Sequence, residues 1–184
     1  MNSHSLSERT VKEQIIYQGR ILNLVQRTVA LPNGSHTLRE IVEHPGAVAI
    51  LAQVEPDSIW CVEQFRAPIG KTLLEIPAGK LEVGETPEAC AHRELGEETG
   101  FMAKQLVHLF EFYTSPGFSN EKIHLFYATD LIPGTMHLDE DEFVFGRAYP
   151  RDEIKQLLEA GQIHDAKTLI AIQWWIRLKE RVRF

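Results

Sequence analysis

Residues 79 to 101 read GKLEVGETPEACAHRELGEETGF, a glycine-bearing loop that runs into a helix. Thr86 is a favourable N-cap residue, and Pro87 suits the first helical turn because its missing N–H would have no intrahelical partner. Gly100 suits the left-handed conformation that commonly follows a helix. The stretch therefore predicts one helix between Thr86 and Gly100.

Three glutamates crowd one part of this helix. Glu94 and Glu98 are four residues apart, so their carboxylates lie on one face, and Glu97 lies beside them. Such carboxylates repel one another unless a positive charge sits among them. Hard oxygen ligands suit Mg²⁺ or Mn²⁺, and such ions usually also hold substrate phosphates. The alternative is a solvated acidic face in which Arg93 pairs with Glu97.

Composition narrows the functional classes. The 184 residues are 43% hydrophobic and 24% charged, which is typical of a soluble globular protein. Cys61 and Cys90 form no disulfide framework, so we expect buried, unreactive thiols and a reducing cytoplasm. The apolar runs are too short to span a membrane, so we expect no membrane partner.

The net charge is −7, and the sequence shows no basic patch of the kind that binds nucleic acid. We therefore expect no nucleic-acid partner. The charge of a small phosphate substrate must then be met locally, by metal ions and a few arginines. The eight histidines show no metal-ligand spacing along the chain, which predicts solvated or core positions for them.

The rest of the chain predicts an α+β fold in which a mixed sheet lies between helices. Strands are predicted over residues 11–18, 21–30, 36–43, 47–54, 59–66, 73–77, 105–113, 123–129 and 143–148. Asp152 is predicted to cap a helix that ends near Gly161, and Asp165 to cap a second that runs to about Arg181. The first 45 residues predict an antiparallel sheet attached to a main domain over residues 46–184.

The signature stretch, residues 79–101, matches the Nudix hydrolases position for position. The matching residues are Gly79, Glu85, Arg93, Glu94, Leu95, Glu97, Glu98, Gly100 and Phe101. Residues 74–82 and 115–118 also resemble the bacterial ADP-ribose pyrophosphatase branch, in which a proline stands about sixteen residues beyond the last signature glycine, as Pro116 does here. The resemblance covers about residues 11 to 180.

The resemblance implies an α/β/α sandwich and a homodimer that exchanges the N-terminal sheet, residues 1–45. In the alternative, this sheet stays on its own subunit. The implied reaction is hydrolysis of ADP-ribose to AMP and ribose 5-phosphate with Mg²⁺ or Mn²⁺. Other nucleoside diphosphate derivatives are the alternative substrates, and a non-catalytic nucleotide-binding regulator is the alternative class.

The resemblance also implies roles for single residues. Glu94, Glu98 and the backbone carbonyl of Ala78 would bind metal, and Glu97 would bind or orient a further ion. Arg93 would orient the glutamates, and Glu85 would support the loop or an outer-shell water.

The signature carboxylates are committed to metal, so the general base should come from elsewhere. The resemblance implies that it comes from the acidic loop at residues 137–143. Glu140 is our choice for the base and Glu142 for a second-ion ligand. The alternative is a solvated acidic loop.

Arg66 suits a diphosphate oxygen because a guanidinium binds phosphate in bidentate fashion, and a surface ion pair is its alternative. The resemblance implies the remaining substrate contacts: Arg20 and Ile21 flanking adenine with Arg39 and Glu40 nearby, and Ser115, Gly117 and Glu121 at the terminal ribose.

Overall fold

The computed structural model describes residues 6–138 and 143–181, without the side chains of 179–181. The strands are β1 (Arg9–Gln18), β2 (Asn23–Ala30), β3 (His36–Glu43), β4 (Ala47–Glu55), β5 (Ser58–Arg66), β6 (Lys71–Glu75), β7 (Ala78–Lys80), β8 (Phe101–Tyr113), β9 (Lys122–Pro133) and β10 (Val144–Pro150). The helices are α1 (Pro87–Thr99), α2 (Arg151–Glu159) and α3 (Ala166–Arg181). The chain divides into two compact units.

The first unit contains the residues up to Gly46 together with Tyr113–Lys122. Its sheet has the order β1-β2-β3, and both strand pairs are antiparallel. The turn between β2 and β3 closes where the Gly34 N–H donates to the Leu31 carbonyl at 2.9 Å, with Gly34 in the left-handed region at φ 84°. The loop at Ser115–Asn120 joins this sheet because Val42 N–H donates to the Phe118 carbonyl at 2.8 Å.

The second unit contains a mixed sheet with the order β10-β5-β4-β9-β8, and β6 and β7 pair with β5 and β4. The sheet is mixed because β4 runs parallel to β9 and antiparallel to β5. The short strand β7, which the sequence did not predict, pairs Ala78 with Ala49 and Gly79 with Val48. It brings the start of the signature loop to the centre of the sheet.

Alternate residues of β4 pack against opposite helical layers. Val48 and Ile50 belong to the core beneath α1, which Leu95 and Cys90 complete. Ala49 and Leu51 belong to the core beneath α2 and α3. The α3 members of that core are Ala171, Ile172 and Trp175, and Leu169 and Ile176 pack against it. The predicted α/β/α sandwich is therefore confirmed.

The start of α2 corrects one prediction. Its N-cap is Pro150 without a side-chain cap bond, and Asp152, the predicted cap, lies in the first turn. A tertiary contact decides this start, because Arg151 donates its N–H to the Asp57 carbonyl at 2.8 Å and its Nε to the Asp57 carboxylate at 3.0 Å. Asp165 does cap α3, since its carboxylate accepts the Thr168 N–H at 2.9 Å.

The two thiols are buried as expected. Cys61 and Cys90 are fully inaccessible and unpaired, and burial raises the pKa of each to about 12. Nucleophilic thiolate is therefore scarce at neutral pH. Among the described residues, no helix is both long and apolar enough to cross a membrane.

Candidate functional site

Helix α1 begins and ends at the predicted signals. The Thr86 hydroxyl oxygen accepts the Ala89 N–H at 3.2 Å, and Pro87 is the first helical residue. Gly100 follows the helix at φ 71°, and its N–H donates to the Gly96 carbonyl at 2.9 Å. These local contacts fix where α1 begins and ends, and the packing of Cys90 and Leu95 in the core determines which face carries the glutamates.

Arg93 connects the glutamates of the signature stretch. Its Nε and Nη2 donate to the two oxygens of Glu85 at 2.9 Å each. Its Nη1 donates to Glu94 at 2.8 Å and to Glu97 at 2.9 Å. The guanidinium therefore supplies the positive charge that crowded carboxylates require, and it fixes their spacing.

Glu85 ties the loop to this guanidinium. Its second oxygen accepts the Glu82 N–H at 3.0 Å, while Arg93 Nη2 also donates to the Lys80 carbonyl at 3.1 Å. The hydrogen bonds from Arg93 hold the pKa of Glu85 at about 2, and the same bonds raise the pKa of Arg93. Both groups stay charged at neutral pH, so the ion pair between Glu85 and Arg93 that holds the loop persists there.

Glu94 and Glu98 are the buried carboxylates of the helix, 9% and 3% exposed. An oxygen of Glu98 accepts the Ala78 N–H at 3.0 Å. This bond joins α1 to β7 and places Ala78 beside one of the predicted metal ligands. The two carboxylates are therefore largely shielded from water where α1 meets β7.

Gly79 provides the surface on which Glu94 rests. A Cβ atom at Gly79 would lie 1.8 Å from both Cδ and Oε1 of Glu94. A glycine is therefore required because the Glu94 carboxylate occupies the volume that any side chain would take. Sequence reasoning included Gly79 only as a signature position and did not identify this contact.

Glu97 is more exposed than its two neighbours, at 36% of its side chain. Its backbone carbonyl accepts the His137 N–H at 3.2 Å, which brings the segment after β9 to the end of α1. Glu140 and Glu142, the predicted base and second-ion ligand, lie outside the described residues.

The donor set fits a hard divalent ion. It combines buried carboxylates at Glu94 and Glu98, a third carboxylate at Glu97 and the backbone of Ala78, all presented by α1 and β7. Oxygen ligands of this kind suit Mg²⁺ or Mn²⁺. One of the ligands, the Glu94 carboxylate, fills the space that Gly79 leaves open.

Arg66 lies in the same unit but is bound to a buried acid. Its Nε and Nη2 each donate to Glu75 at 2.7 Å, and Glu75 is 1% exposed. Lys167 also pairs with Glu75. Burial alone would raise the pKa of Glu75, but hydrogen bonds from Arg66 and the charge of Lys167 outweigh it and leave the pKa below its ordinary value. Sequence reasoning missed Glu75 because its partner Lys167 is 92 residues away.

The other predicted substrate contacts belong to the first unit. Arg20 and Ile21 lie in the exposed turn before β2, and Arg39 and Glu40 lie on β3. Arg39 pairs with Glu8 at 2.6 Å.

Ser115, Gly117 and Glu121 lie in the loop that joins the sheet of the first unit. Glu121 accepts a hydrogen bond from the Thr114 hydroxyl at 2.6 Å. The structure thus brings these three residues and those on β3 into one unit, and the glutamates and Arg66 into the other.

Replacing Gly96 with alanine should stabilise the protein. A Cβ atom there would meet nothing closer than the Phe101 carbonyl oxygen at 3.9 Å, and glycine inside a helix costs up to ~1 kcal/mol relative to alanine. Urea denaturation should show that the free energy of unfolding increases by that amount, and the catalytic rates should not change. Gly84→Ala is the matched contrast: its space is also open, but its φ of 80° should make alanine destabilising. A fall in stability for Gly96→Ala would contradict the prediction.

A comparison with protein-family models assigns the chain. Residues 43–171 match the NUDIX domain. The chain belongs to the Nudix family. The match contains the complete Arg93-centred glutamate cluster and β4 to β10, so the Nudix domain coincides with the elements that build the site.

Curated relatives of this Nudix chain align along nearly its whole length. An ADP-ribose pyrophosphatase of Bacillus subtilis (strain 168) is 47% identical over 181 residues, 97% of each chain. A methanol dehydrogenase activator of Bacillus methanolicus is 46% identical over 96% of each chain. An ADP-ribose pyrophosphatase of Mycobacterium tuberculosis is 37% identical over 84% of this chain and 76% of its own. The ADP-ribose pyrophosphatase branch predicted from the sequence is confirmed.

Among solved structures, an ADP compounds hydrolase superposes with a TM-score of 0.82 at 24% identity. The superposition covers 97% of this chain and 98% of the other. At that identity the likeness establishes the fold, in agreement with the sandwich described above.

Proposed function

We propose that this Nudix protein hydrolyses ADP-ribose to AMP and ribose 5-phosphate. The reaction class is carried by one observation: buried Glu94 and Glu98 meet the β7 backbone at Gly79 and Ala78. The substrate is supported by the 47% identical relative, which is named an ADP-ribose pyrophosphatase. The work of the enzyme is to break one P–O bond of a diphosphate that carries negative charge.

Glu94, Glu98 and the Ala78 carbonyl would hold Mg²⁺ or Mn²⁺, with Glu97 binding or orienting a further ion. When bound, the ion neutralises charge on the bridging diphosphate. Arg93 keeps these carboxylates at a fixed spacing through its bonds to Glu85, Glu94 and Glu97. These bonds restrict the carboxylate side chains before substrate arrives, which lowers the entropic cost of binding.

Arg66 meets a phosphate oxygen of the substrate in this proposal. Glu75 and Lys167 determine its orientation, because Glu75 accepts two of its N–H groups from a buried position. The described bonds involve Nε and Nη2, and Nη1 is the nitrogen that would meet the phosphate. A guanidinium held in this way loses little side-chain entropy when it binds phosphate.

Glu140 acts as the general base. It accepts a proton from the attacking water, the new O–P bond forms at one phosphorus, and the bond from that phosphorus to the bridging oxygen breaks. The other phosphate departs with the bonding electron pair. The His137 N–H donates to the Glu97 backbone carbonyl. His137 precedes Glu140 by three residues in the sequence, and this supports the choice of Glu140.

Glu140→Gln should lower kcat by about 10² to 10⁴, the usual contribution of a positioned acid or base, and leave Mn²⁺ affinity unchanged. Rapid-quench kinetics measure the first quantity and electron paramagnetic resonance of free Mn²⁺ the second. Glu142→Gln is the matched variant and should weaken Mn²⁺ binding instead. Wild-type turnover in Glu140→Gln would move the base to Glu142 or Glu97.

A substrate panel tests the reaction itself. With Mg²⁺ and with Mn²⁺, ADP-ribose should give AMP and ribose 5-phosphate at the highest kcat/KM. A nucleotide sugar and a dinucleoside polyphosphate should react more slowly, and a nucleoside triphosphate should release no pyrophosphate. A preference for the triphosphate would overturn the substrate assignment. Binding without turnover of any member would favour the non-catalytic regulator.

The chain acts as a homodimer in the cytoplasm, joined through the N-terminal sheet, residues 1–45. Support comes from β1, an edge strand whose ten residues are all exposed. Its apolar members include Val11, Ile15, Ile16 and Tyr17. A long apolar edge strand is normally covered by another chain. Light scattering at micromolar concentration should give twice the 21.0 kDa chain mass.

A second candidate function follows from the Bacillus methanolicus relative. That protein is named for the activation of a methanol dehydrogenase and is 46% identical to this chain. Adding this chain to a methanol dehydrogenase should then raise the turnover of that enzyme. Comparison of the wild type with Glu98→Gln separates activation that requires hydrolysis from activation by binding alone.

A further inference from the structure

A second group of metal-ligand side chains lies on β8 and β9, away from the signature stretch in sequence. His108 and Glu111 are on β8, and His124 is on β9. One ligand atom from each lies within 4.8 Å of the other two. Among the described residues, no other set of three or more histidine, cysteine or acidic side chains has its ligand atoms this close together.

A shift in strand alternation brings the three residues together. In a regular strand, residues 108 and 111 would face opposite sides of the sheet. Here the adjacent residues Leu109 and Phe110 both pack against the core beneath α2 and α3. The alternation therefore shifts by one residue between them, and His108 and Glu111 share the other face.

That face is the one beneath α1. The His108 ring packs against Phe126, a member of the α1-side core, with centroids 5.2 Å apart. His124 precedes Phe126 by two residues on β9 and so shares its face. Its partner in the sheet is Val48 of β4, which places the cluster on a central, well-paired strand.

The distances suit a tetrahedral ion. His124 Nδ1 and Glu111 Oε2 are 3.3 Å apart. Ligand atoms bound at 2.0–2.1 Å in a tetrahedron are separated by about 3.3–3.4 Å. The His108 and His124 rings are neighbours, with centroids 5.8 Å apart. His108 is exposed, and one of its ring nitrogens lies within 4.8 Å of the ligand atoms of the other two residues.

We propose that His108, Glu111 and His124 bind a divalent transition ion of the Zn²⁺ class. Two imidazoles and one carboxylate suit Zn²⁺, whereas all-oxygen sites suit Mg²⁺. This site therefore differs in metal preference from the glutamates of α1. A bound ion joins β8, the edge of its sheet, to β9, and three protein ligands leave a coordination position for water.

Zn²⁺ binding to the tag-free protein tests the proposal. Glu94→Gln/Glu98→Gln provides the background, so that the signature glutamates do not compete, and excess Mg²⁺ is present throughout. Titration against a chromophoric chelator should show one tight Zn²⁺ site per chain. Co²⁺ in its place should give the visible absorption of a four- or five-coordinate site.

Three single variants in that background assign the ligands: His108→Ala, Glu111→Gln and His124→Asn. Loss of an outer-shell partner typically weakens metal affinity about 10- to 100-fold, so loss of a direct ligand should cost at least that. Circular dichroism and urea denaturation confirm that each variant folds. Glu111→Gln replaces an exposed side chain with one of nearly the same shape. It therefore provides a test even where a histidine variant misfolds.

His36→Ala is the matched control, because His36 is an exposed histidine on β3. Unchanged Zn²⁺ affinity in that control, with the expected loss in the three ligand variants, supports the site. Zn²⁺ binding that survives in the folded Glu111→Gln and His108→Ala proteins would overturn it. So would the absence of a Zn²⁺ site in the double-glutamine background, since binding would then belong to Glu94 and Glu98.

Discussion

Glu98→Gln should reduce kcat/KM for ADP-ribose by about 10³. The change removes one negative charge from the set of ligands while preserving the shape of the side chain. An ion that neutralises the diphosphate contributes several kcal/mol to the transition state, and each 1.36 kcal/mol corresponds to about tenfold in rate. Steady-state kinetics over a range of Mg²⁺ concentrations measure the loss and show how much of it added metal restores.

Stability should not fall in the same variant. The Ala78 N–H now donates to Glu98, and a glutamine oxygen can accept the same bond. Glutamine also has nearly the same volume as glutamate, so the packing at this position, which is 3% exposed, is kept. In the presence of EDTA, the free energy of unfolding should therefore stay close to that of the wild type.

Glu88→Gln is the matched control, because Glu88 lies in the first turn of α1 and is exposed. It should leave kcat/KM within about twofold, since surface changes away from a site have small effects. Comparable activity of the two variants would contradict the metal-ligand role of Glu98. A large loss of stability in Glu98→Gln would assign the residue to folding instead.

Local signals made α1 predictable from the sequence. Thr86, Pro87 and Gly100 act within a few residues of their own positions, and each occupies its predicted place at the end of the helix. Asp165 succeeds for the same reason, because it accepts an N–H three residues away. Short-range hydrogen bonds depend on residue type and order, which the sequence contains in full.

Contacts between distant residues were not predictable in this way. Asp152 has the propensity of a cap, but the bond from Arg151 to Asp57, 94 residues away, moves the start of α2. The Glu75 ion pairs join β6 to the start of α3. The cluster at His108 and His124 requires both the pairing of β8 with β9 and a shift in alternation, neither of which follows from residue spacing.

Gly79→Ala should lower kcat/KM for ADP-ribose by about 10² or more, although it adds a single methyl group. That methyl would lie 1.8 Å from the Glu94 carboxylate, far inside van der Waals contact. Glu94 must rotate or β7 must shift, and a displacement of 1 Å in a positioned group can cost about 10² in rate. Kinetics with Mg²⁺ and Mn²⁺ should show a loss in kcat and an increased metal requirement.

Stability should also decrease, because the buried Glu94 has little room to move and overpacking typically costs about 1–3 kcal/mol. Gly96→Ala is the matched control, since it adds the same methyl within the signature stretch at a distance of 3.9 Å from its nearest neighbour. The two variants should differ in sign for stability and by about two orders of magnitude in rate. Wild-type kinetics in Gly79→Ala would show that Glu94 reaches its catalytic position without resting on the β7 backbone. Arg93 alone would then position the Glu94 carboxylate.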